Sequence, residues 1–541
     1  MPPNPLSRRT FLAVSGVGAA ALVAAACAPG VGVGGSASDT SAPETTLATT
    51  GTTATTAPGT GGPVDVEIAM RAIPDRVRIT SGGESDVWRL VAEVTDGDPA
   101  VVVPVGDSYL GPTLRLRRGQ RVRIVFDNEL PEETIVHWHG LDVPEDMDGH
   151  PRFAVPNGGR YVYEFTVENR AGTYWYHPHP HGRTGPQVYA GMAGFFIVAD
   201  DEEDALALPA GDFDLPMVIQ DRTFDGDRLD YRSNGMMTQM IGFIGDQILV
   251  NGRPDAAFSV ASRSHRLRIL NGSNSRIYKV AWDDGTPLTV IATDGGLLGA
   301  PVTRPYVTLG PAERVDLWVD FASDGVGGTR ELVSLPFDAP QMGGMMGGGS
   351  SLPNGAGFTV ASLWVDREAD STDPLPAVLS DLGLASIEEA VNPDVARTIV
   401  LAMARGTWSL NGRTFQMTEV APEETVQLGD TEVWEFFNAG GGGGGMMGGG
   451  MGGGLAHPMH MHGQQFQVLD RTIDDAGRAS WETVSAGYVD EGWKDTVLVM
   501  PGERVRVLRR FTTFPGLFLY HCHNLEHEDM GMMRNFRIDT A

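Results

Sequence analysis

The chain has 541 residues, 70 of them glycine and 35 proline, with 41% hydrophobic and 20% charged residues and a formal net charge of −29. The length accommodates three domains of about 150 residues each, and the glycine and proline load favours a turn-rich all-β protein over a helical one. So large an acidic excess excludes nucleic-acid phosphates as partners.

Residues 1–27 carry Ser7-Arg-Arg-Thr-Phe-Leu12 followed by an apolar stretch to Ala26, the pattern of a twin-arginine export signal. No other stretch is apolar over enough residues to span a bilayer. The expected destination is extracytoplasmic, in the cell envelope or a periplasm-like space. Cys27 closes the leader as Ala-Ala-Ala-Cys, and two readings stay open there. In one, Cys27 ends a lipobox and becomes the acylated anchor of the mature chain, with Ala24 standing where Leu or Val is usual. In the other, the leader is cleaved nearby without a lipid. Residues 28–63 are Gly, Ser, Thr, Ala and Pro with almost no large apolar side chain, which predicts a flexible tether.

Beyond the tether, period-two alternation marks strands, as in Tyr161–Val167 and Glu503–Val507. Segments also echo one another. Arg121-Val-Arg-Ile-Val-Phe126 returns in style as Arg266–Leu270 and Glu432–Phe437, Asn251-Gly-Arg253 as Asn411-Gly-Arg413, and Pro311-Ala-Glu-Arg-Val315 as Pro501-Gly-Glu-Arg-Val505. Such repetition predicts duplicated units, placed at 64–205, 212–370 and 396–541. The connection 371–395 is expected to hold a short helix over Asp381–Ala390.

Clusters of histidines fall in the first and third units, with none in the second. In chain order they read His137-Trp-His139-Gly, His177-Pro-His179, His457-Pro-Met-His460-Met-His462 and His521-Cys-His-Asn-Leu-Glu-His527-Glu-Asp-Met-Gly-Met532. Ten of the 13 histidines fall in these four clusters, leaving His150, His181 and His265. On an extended strand successive side chains face opposite ways, so Cys522 faces one side while His521 and His523 face the other. A thiolate with two imidazoles and a distant thioether is a blue-copper ligand set. Cys522, His527 and Met532 supply it once a second histidine joins from the third cluster. His521 and His523 must then serve a different metal site.

These four motifs, with Gly182–Gln187, Gly191-Met-Ala-Gly194 and Gly492-Trp-Lys-Asp495, resemble the three-domain multicopper oxidases of the bacterial laccase and cuprous-oxidase type over residues 66–541. The resemblance implies three cupredoxin-like Greek-key β-sandwiches and four copper ions. His457, Cys522, His527 and Met532 would hold the type 1 copper, with the edge of His457 or His527 near the surface. His137 and His460 would hold the type 2 copper. His139, His177, His179, His462, His521 and His523 would hold the type 3 pair. The trinuclear site would lie between the first and third units, the second acting as a spacer. Asp148 and Glu528 match the family's proton-relay positions, and Asp495 is expected to orient a ligand imidazole.

By the same resemblance, four one-electron oxidations of a substrate are coupled to reduction of O2 to water. The reductant is either Cu(I) or a small phenol or aromatic amine. Methionines at 236, 237 and 240, at 342, 345 and 346, and at 446, 447 and 451 favour Cu(I), because thioethers are soft ligands. Met459 and Met461, inside the third motif, are expected to pack. A second class, a non-catalytic copper-sequestering envelope protein, is opposed by the intact histidine set.

Overall fold

A computed structural model describes residues 62–231, 236–340, 350–370, 374–404, 406–440 and 454–540. The twin-arginine leader, Cys27, nearly all of the tether, and the methionines at 342, 345, 346, 446, 447 and 451 lie outside the described residues.

In the strand Arg121–Asn128, Val122, Ile124 and Phe126 are fully buried while the residues between them are not. One face therefore lies on a core and the other is left to polar side chains. The strand runs parallel to Val66–Val77 and antiparallel to Arg160–Thr166. The same arrangement recurs twice. Ser264–Asn271 lies parallel to Asp214–Arg222 and antiparallel to Arg314–Asp320, and Thr431–Asn438 lies parallel to Arg397–Ala404 and antiparallel to Glu503–Arg510. These three central strands carry the echoing segments of the sequence. The two Asn-Gly turns are equivalent as well: Asn251 and Gly252 have φ of 51° and 75°, Asn411 and Gly412 of 52° and 73°, as a two-residue hairpin of type I′ requires. Each asparagine then accepts a backbone N–H from the neighbouring strand, from Val218 at 2.8 Å and from Val400 at 2.7 Å.

Parallel neighbours cannot be joined by a tight hairpin, so the chain crosses between sheets and builds sandwiches. The first pairs four strands with five, the second seven with five, the third six with five. Each has its own apolar core, with Trp138, Trp282 and Trp434 among their bulkiest members. The fold is all-β, and among the described residues no helix is long and apolar enough to cross a membrane.

One expectation fails. Asp381–Ala390 contains only a single 3₁₀ turn, Ile387–Glu389, closed by a capping box between Ser386 and Glu389. The stretch before it is held out of helix by tertiary bonds: Leu382 O accepts from the Trp493 indole at 2.8 Å, and Ala385 bonds through both its N–H and its C=O to the Gln467 side chain.

Seven elements position the histidine clusters. They are β1 (Val136–His139) and β2 (Gly172–Pro178) of the first sandwich, α1 (Met236–Ile241) of the second, and β3 (His457–Met461), β4 (Thr496–Val499), β5 (Gly516–Cys522) and α2 (Leu525–Asp529) of the third.

Candidate metal centres

Residues opposite each other in an antiparallel pair share a face of the sheet. On β1 and β2, His137 stands opposite His177. On β3 and β5, His460 stands opposite His521 and Met459 opposite Cys522. Just past the strand ends, His462 N–H donates to Leu519 O at 2.9 Å and His523 N–H to Pro458 O at 2.6 Å, which continues the same register. His460, His462, His521 and His523 therefore turn to one side of the sheet, and His457, Met459 and Cys522 to the other.

On the first side, eight buried imidazoles from the first and third sandwiches converge. Nε2 atoms face each other at 3.4 Å between His137 and His460, at 3.4 Å between His177 and His523, at 3.4 Å between His179 and His521, and at 3.1 Å between His462 and His521. Several of these tautomers are fixed from behind. Nδ1–H donates to a backbone carbonyl in His137 (Asp148 O, 2.6 Å), His177 (Pro178 O, 2.9 Å) and His460 (Asp495 O, 2.8 Å), and His462 Nδ1 meets the Asp148 carboxyl at 2.7 Å. Bare Nε2 lone pairs are left pointing at one another, which is unfavourable unless a cation lies between them. Metal–nitrogen bonds of about 2.0 Å opening at tetrahedral to trigonal angles separate two ligand nitrogens by roughly 3.3–3.5 Å. The observed spacings fit that. His139 is turned the other way: Nε2 lies 3.0 Å from Asp495 Oδ1, and its buried Nδ1 has no protein partner. Sets drawn from these residues, such as His179–His462–His521, bring their ligand atoms close enough to share one ion.

On the opposite side, Cys522 Sγ lies 3.4 Å from His457 Nδ1 and 3.7 Å from His527 Nδ1, and the two Nδ1 atoms are 3.3 Å apart. This triangle is the size expected around one ion with short N and S bonds. Met532 is fully buried beside it, and its carbonyl accepts the Cys522 N–H at 3.1 Å. Burial pushes the Cys522 thiol up, so the thiolate needs a bound cation to form at neutral pH. The donor set fits copper.

The short helix α2 organises both sites. Asn524 caps its N-terminus, accepting His527 N–H at 3.3 Å. A single helical turn then points four consecutive side chains in four directions. Glu526 accepts from Tyr231 OH (2.7 Å), Phe243 N (2.9 Å), Asn274 Nδ2 (2.8 Å) and Ser275 Oγ (2.6 Å), all on the second sandwich. His527 enters the thiolate site. Glu528 reaches the imidazole cluster, 3.6 Å from His179 Nε2 and 3.2 Å from His521 Nδ1. Asp529 accepts the N–H groups of Thr184 and Gly185 on the first sandwich at 2.8 and 2.9 Å.

The two carboxyls expected to handle protons sit in contrasting environments. Burial drives Asp148 well above the usual carboxylate range. Burial also opposes ionisation of Glu528, but the neighbouring His179 and His521 outweigh it and hold Glu528 below that range.

The structure thus brings together all twelve residues of the expected ligand set, with Asp148, Glu528 and Asp495 around them. Met459 and Met461 pack in the third core. Two expectations are corrected. Neither His457 nor His527 reaches the surface; both are fully buried. His527 Nε2–H donates to Met240 O at 3.0 Å, the Trp408 indole donates to the same carbonyl at 2.9 Å, and α1 of the second sandwich covers the site. The second sandwich is therefore more than a spacer, since it also supplies Arg314 to Asp495. Sequence reasoning missed Arg314, Glu526 and Asp529; the two acids lie within the fourth histidine motif, where their density was the available signal. It also missed Asp142, which burial raises to about 6, and the neighbouring buried Arg509, which burial lowers to about 9. The leftover histidines are accounted for locally: His150 pairs with Asn535 Oδ1 at 2.9 Å, His265 with Arg263 O at 2.9 Å, and the exposed His181 packs on Phe415.

Burial lowers nine of the ten clustered imidazoles, His177 and His457 to about 3 and His179 to about 4. The unfolded chain protonates its histidines near pH ~6.5 and the folded one does not. Stability of the copper-free protein is therefore present above about pH 6.5 and is lost as pH falls toward the folded values. Seven raised carboxyls, Asp142, Asp146, Asp148, Glu313, Asp495, Glu503 and Asp529, act in the opposite sense but are outnumbered once the lowered His150 and His265 join the nine. The urea midpoint of copper-free protein should drop between about pH 7.5 and about pH 5.5, and copper should raise it at both. An unchanged midpoint would contradict the burial of uncharged imidazoles.

A multicopper oxidase family profile matches residues 89–203 and a second matches residues 390–541. The chain is similar to the multicopper oxidase mco of Staphylococcus aureus, 30% identical over 431 residues that cover 80% of this chain and 82% of that protein. It is also similar to the laccase of Bacillus subtilis (strain 168), 30% identical over 482 residues, 79% of this chain and 88% of that one. Among solved structures, the McoA multicopper oxidase of Aquifex aeolicus superposes with a TM-score of 0.72 at 34% identity, covering 88% of this chain and 97% of that chain. With sandwiches, thiolate site and imidazole cluster all in place, the chain belongs to the multicopper oxidase family and is an oxidoreductase that uses dioxygen.

Proposed function

We propose that this oxidase takes its electrons from Cu(I), four per dioxygen reduced to water, and serves in copper tolerance. In this reading His457, Cys522, His527 and Met532 hold the type 1 copper. His137 and His460 hold the type 2 copper, and the six remaining clustered histidines hold the type 3 pair. Copper so bound would supply the one-electron exchange and the chemistry of dioxygen. The protein's own part is geometric. Cys522 is peptide-bonded to His521 and His523, so the thiolate site and the imidazole cluster are joined by a covalent path only a few bonds long.

One observation carries the choice of reductant. The outward nitrogen of His527 is covered by the Met240 carbonyl in α1, a segment reading Met236-Met-Thr-Gln-Met240. A bulky phenol has no imidazole edge to stack on, whereas a small soft cation needs only thioethers close by. Glu526 holds this cover in place through Phe243 N–H, and Asn524 through Ile241 O at 3.3 Å. The laccase name of the Bacillus subtilis relative supports the other reading, a phenol oxidase. The Arg8-Arg9 leader supports export to the cell envelope, with Cys27 as a lipid anchor where it is acylated.

Cys522→Ser should abolish the intense visible band and all substrate oxidation while circular dichroism stays native, because no other thiolate lies in the mature region; a variant that stayed blue would refute the type 1 assignment. Replacing Met236, Met237 and Met240 together by Leu keeps bulk but removes sulfur. Cu(I) oxidation should then fall about tenfold, as expected from lost soft ligands, with oxidation of a phenolic dye level. Equal effects on both would favour the phenol reading. Asp148→Asn and Glu528→Gln should slow oxygen consumption by about 10²-fold, the scale of a lost general acid, while stopped-flow reduction of the type 1 copper keeps its rate. Slowed reduction would remove the proton role.

A further inference from the structure

Arg314 lies at the start of a strand in the second sandwich, the sandwich that carries none of the clustered histidines. Its guanidinium is fully buried, and every one of its five N–H bonds has an acceptor. Nε donates to Thr173 O on β2 at 2.9 Å. Nη1 donates to Ala312 O at 3.1 Å and to Asp495 Oδ1 at 2.7 Å, Nη2 to Asp294 O at 2.9 Å and to Asp495 Oδ2 at 2.6 Å. One planar group therefore ties together all three sandwiches, and it grips Asp495 with the two-pronged geometry that lysine cannot reproduce.

Asp495 is the residue that touches the imidazole cluster from behind. Its Oδ1 lies 3.0 Å from His139 Nε2 and accepts the Thr496 hydroxyl at 2.9 Å, and its backbone carbonyl accepts His460 Nδ1–H at 2.8 Å. His139 comes from the first sandwich and His460 from the third. The packing leaves no slack: a Cβ on Gly140, at φ +86°, would lie 2.4 Å from Asp495 Oδ2 and 2.8 Å from Arg314 Nη2.

The turn that carries Arg314 does not itself call for an arginine directed inward. The repeated segment, Pro501-Gly-Glu-Arg-Val505, is closed in the same way by its glutamate, with Met500 N–H on Glu503 at 2.7 Å just as Gly310 N–H is on Glu313 at 2.7 Å. There the corresponding Arg504 is 42% exposed and pairs with Glu435 on a neighbouring strand. Burying a guanidinium is costly unless every donor is matched, so the inward Arg314 is a specialised use of a turn that folds equally well with its arginine in solvent.

We propose that Arg314 is a positioning residue for the trinuclear copper site: it fixes Asp495, whose carboxylate leaves His139 to present Nδ1, and whose backbone carbonyl leaves His460 to present Nε2, to the metal. Metal occupancy on that side of the cluster then depends on the docking of the second sandwich, which carries none of the clustered histidines. The inference is independent of which reductant the enzyme uses.

The test compares Arg314→Lys, which keeps the charge and loses the fork, and Arg314→Gln, which loses both, with Arg504→Gln at the equivalent turn as control. Full-length proteins are stripped and reloaded with copper. Copper content, the type 2 signal in electron paramagnetic resonance, the blue absorbance and the Tm of the copper-free form are then measured. Both Arg314 variants should lose about 10–100-fold in copper affinity at the cluster, the usual effect of removing a group behind a metal ligand. The type 2 signal should be depleted or altered while the blue band stays, and Arg504→Gln should match the parent. Full copper content with an unaltered type 2 signal in both Arg314 variants overturns the proposal. So does loss of the blue band in step with the type 2 signal, which would make Arg314 a prop of the whole fold. If Arg314→Gln fails to fold, Arg314→Lys decides by the same criteria.

Discussion

Two kinds of metal site share one strand because an extended backbone alternates its side chains, and the centre of this protein depends on β5 keeping its register against β3. With His460 opposite His521 and Met459 opposite Cys522, the thiolate falls on the same face as His457 and the flanking imidazoles on the other. A slip of one residue would exchange the faces, presenting a thiol to the imidazole cluster and histidines to the methionine side. The apolar residues on these strands hold the register: Met459, Met461 and Phe518 all sit in the third core. The metal ligands ride on a frame that hydrophobic packing fixes independently.

The second constraint is desolvation. Buried imidazoles with nitrogens facing nitrogens are a poor arrangement without a cation, and the protein sustains it by satisfying the rear of the rings. Backbone carbonyls of Asp148, Pro178 and Asp495, and the carboxyls of Asp148, Asp495 and Glu528, occupy the outward nitrogens of six of the eight rings. Such partners fix ring orientation and tautomer before any metal arrives. The acids of α2 extend the principle from rings to domains. Glu526 and Asp529 flank the pair that serves the two sites and each anchors to a different sandwich, so the helix between two metal ligands is also the joint of the molecule.

Much of this was legible in the sequence, because the signals were local. The offsets within His521–Met532 state which side chains share a face, and the echoing segments at 121–126, 266–270 and 432–437 occupy equivalent central strands. What could not be read were long-range polar bonds. Arg314 looks in sequence like its repeat Arg504, and only the docking of three sandwiches sends one inward and the other to solvent. The covered His527 depends on a carbonyl, which every residue possesses, so no sequence pattern marks Met240. The expected helix at Asp381–Ala390 failed for a related reason: Trp493 and Gln467, distant in sequence, claim the backbone groups that a helix would use.

The imidazole cluster joins residues as far apart in sequence as His177 and His523, a separation of 346. Contacts of such range form late in folding, since the intervening chain must already be compact before they are rewarded. β5 and α2 come from the last 26 residues of the chain, so a polypeptide emerging from synthesis holds its first four ligand histidines long before their partners exist. Assembly of the imidazole cluster is thereby a property of the finished molecule alone. A chain whose outer sandwiches fail to meet keeps the thiolate site, which lies wholly within the third, but splits the cluster into two separate sets of four histidines.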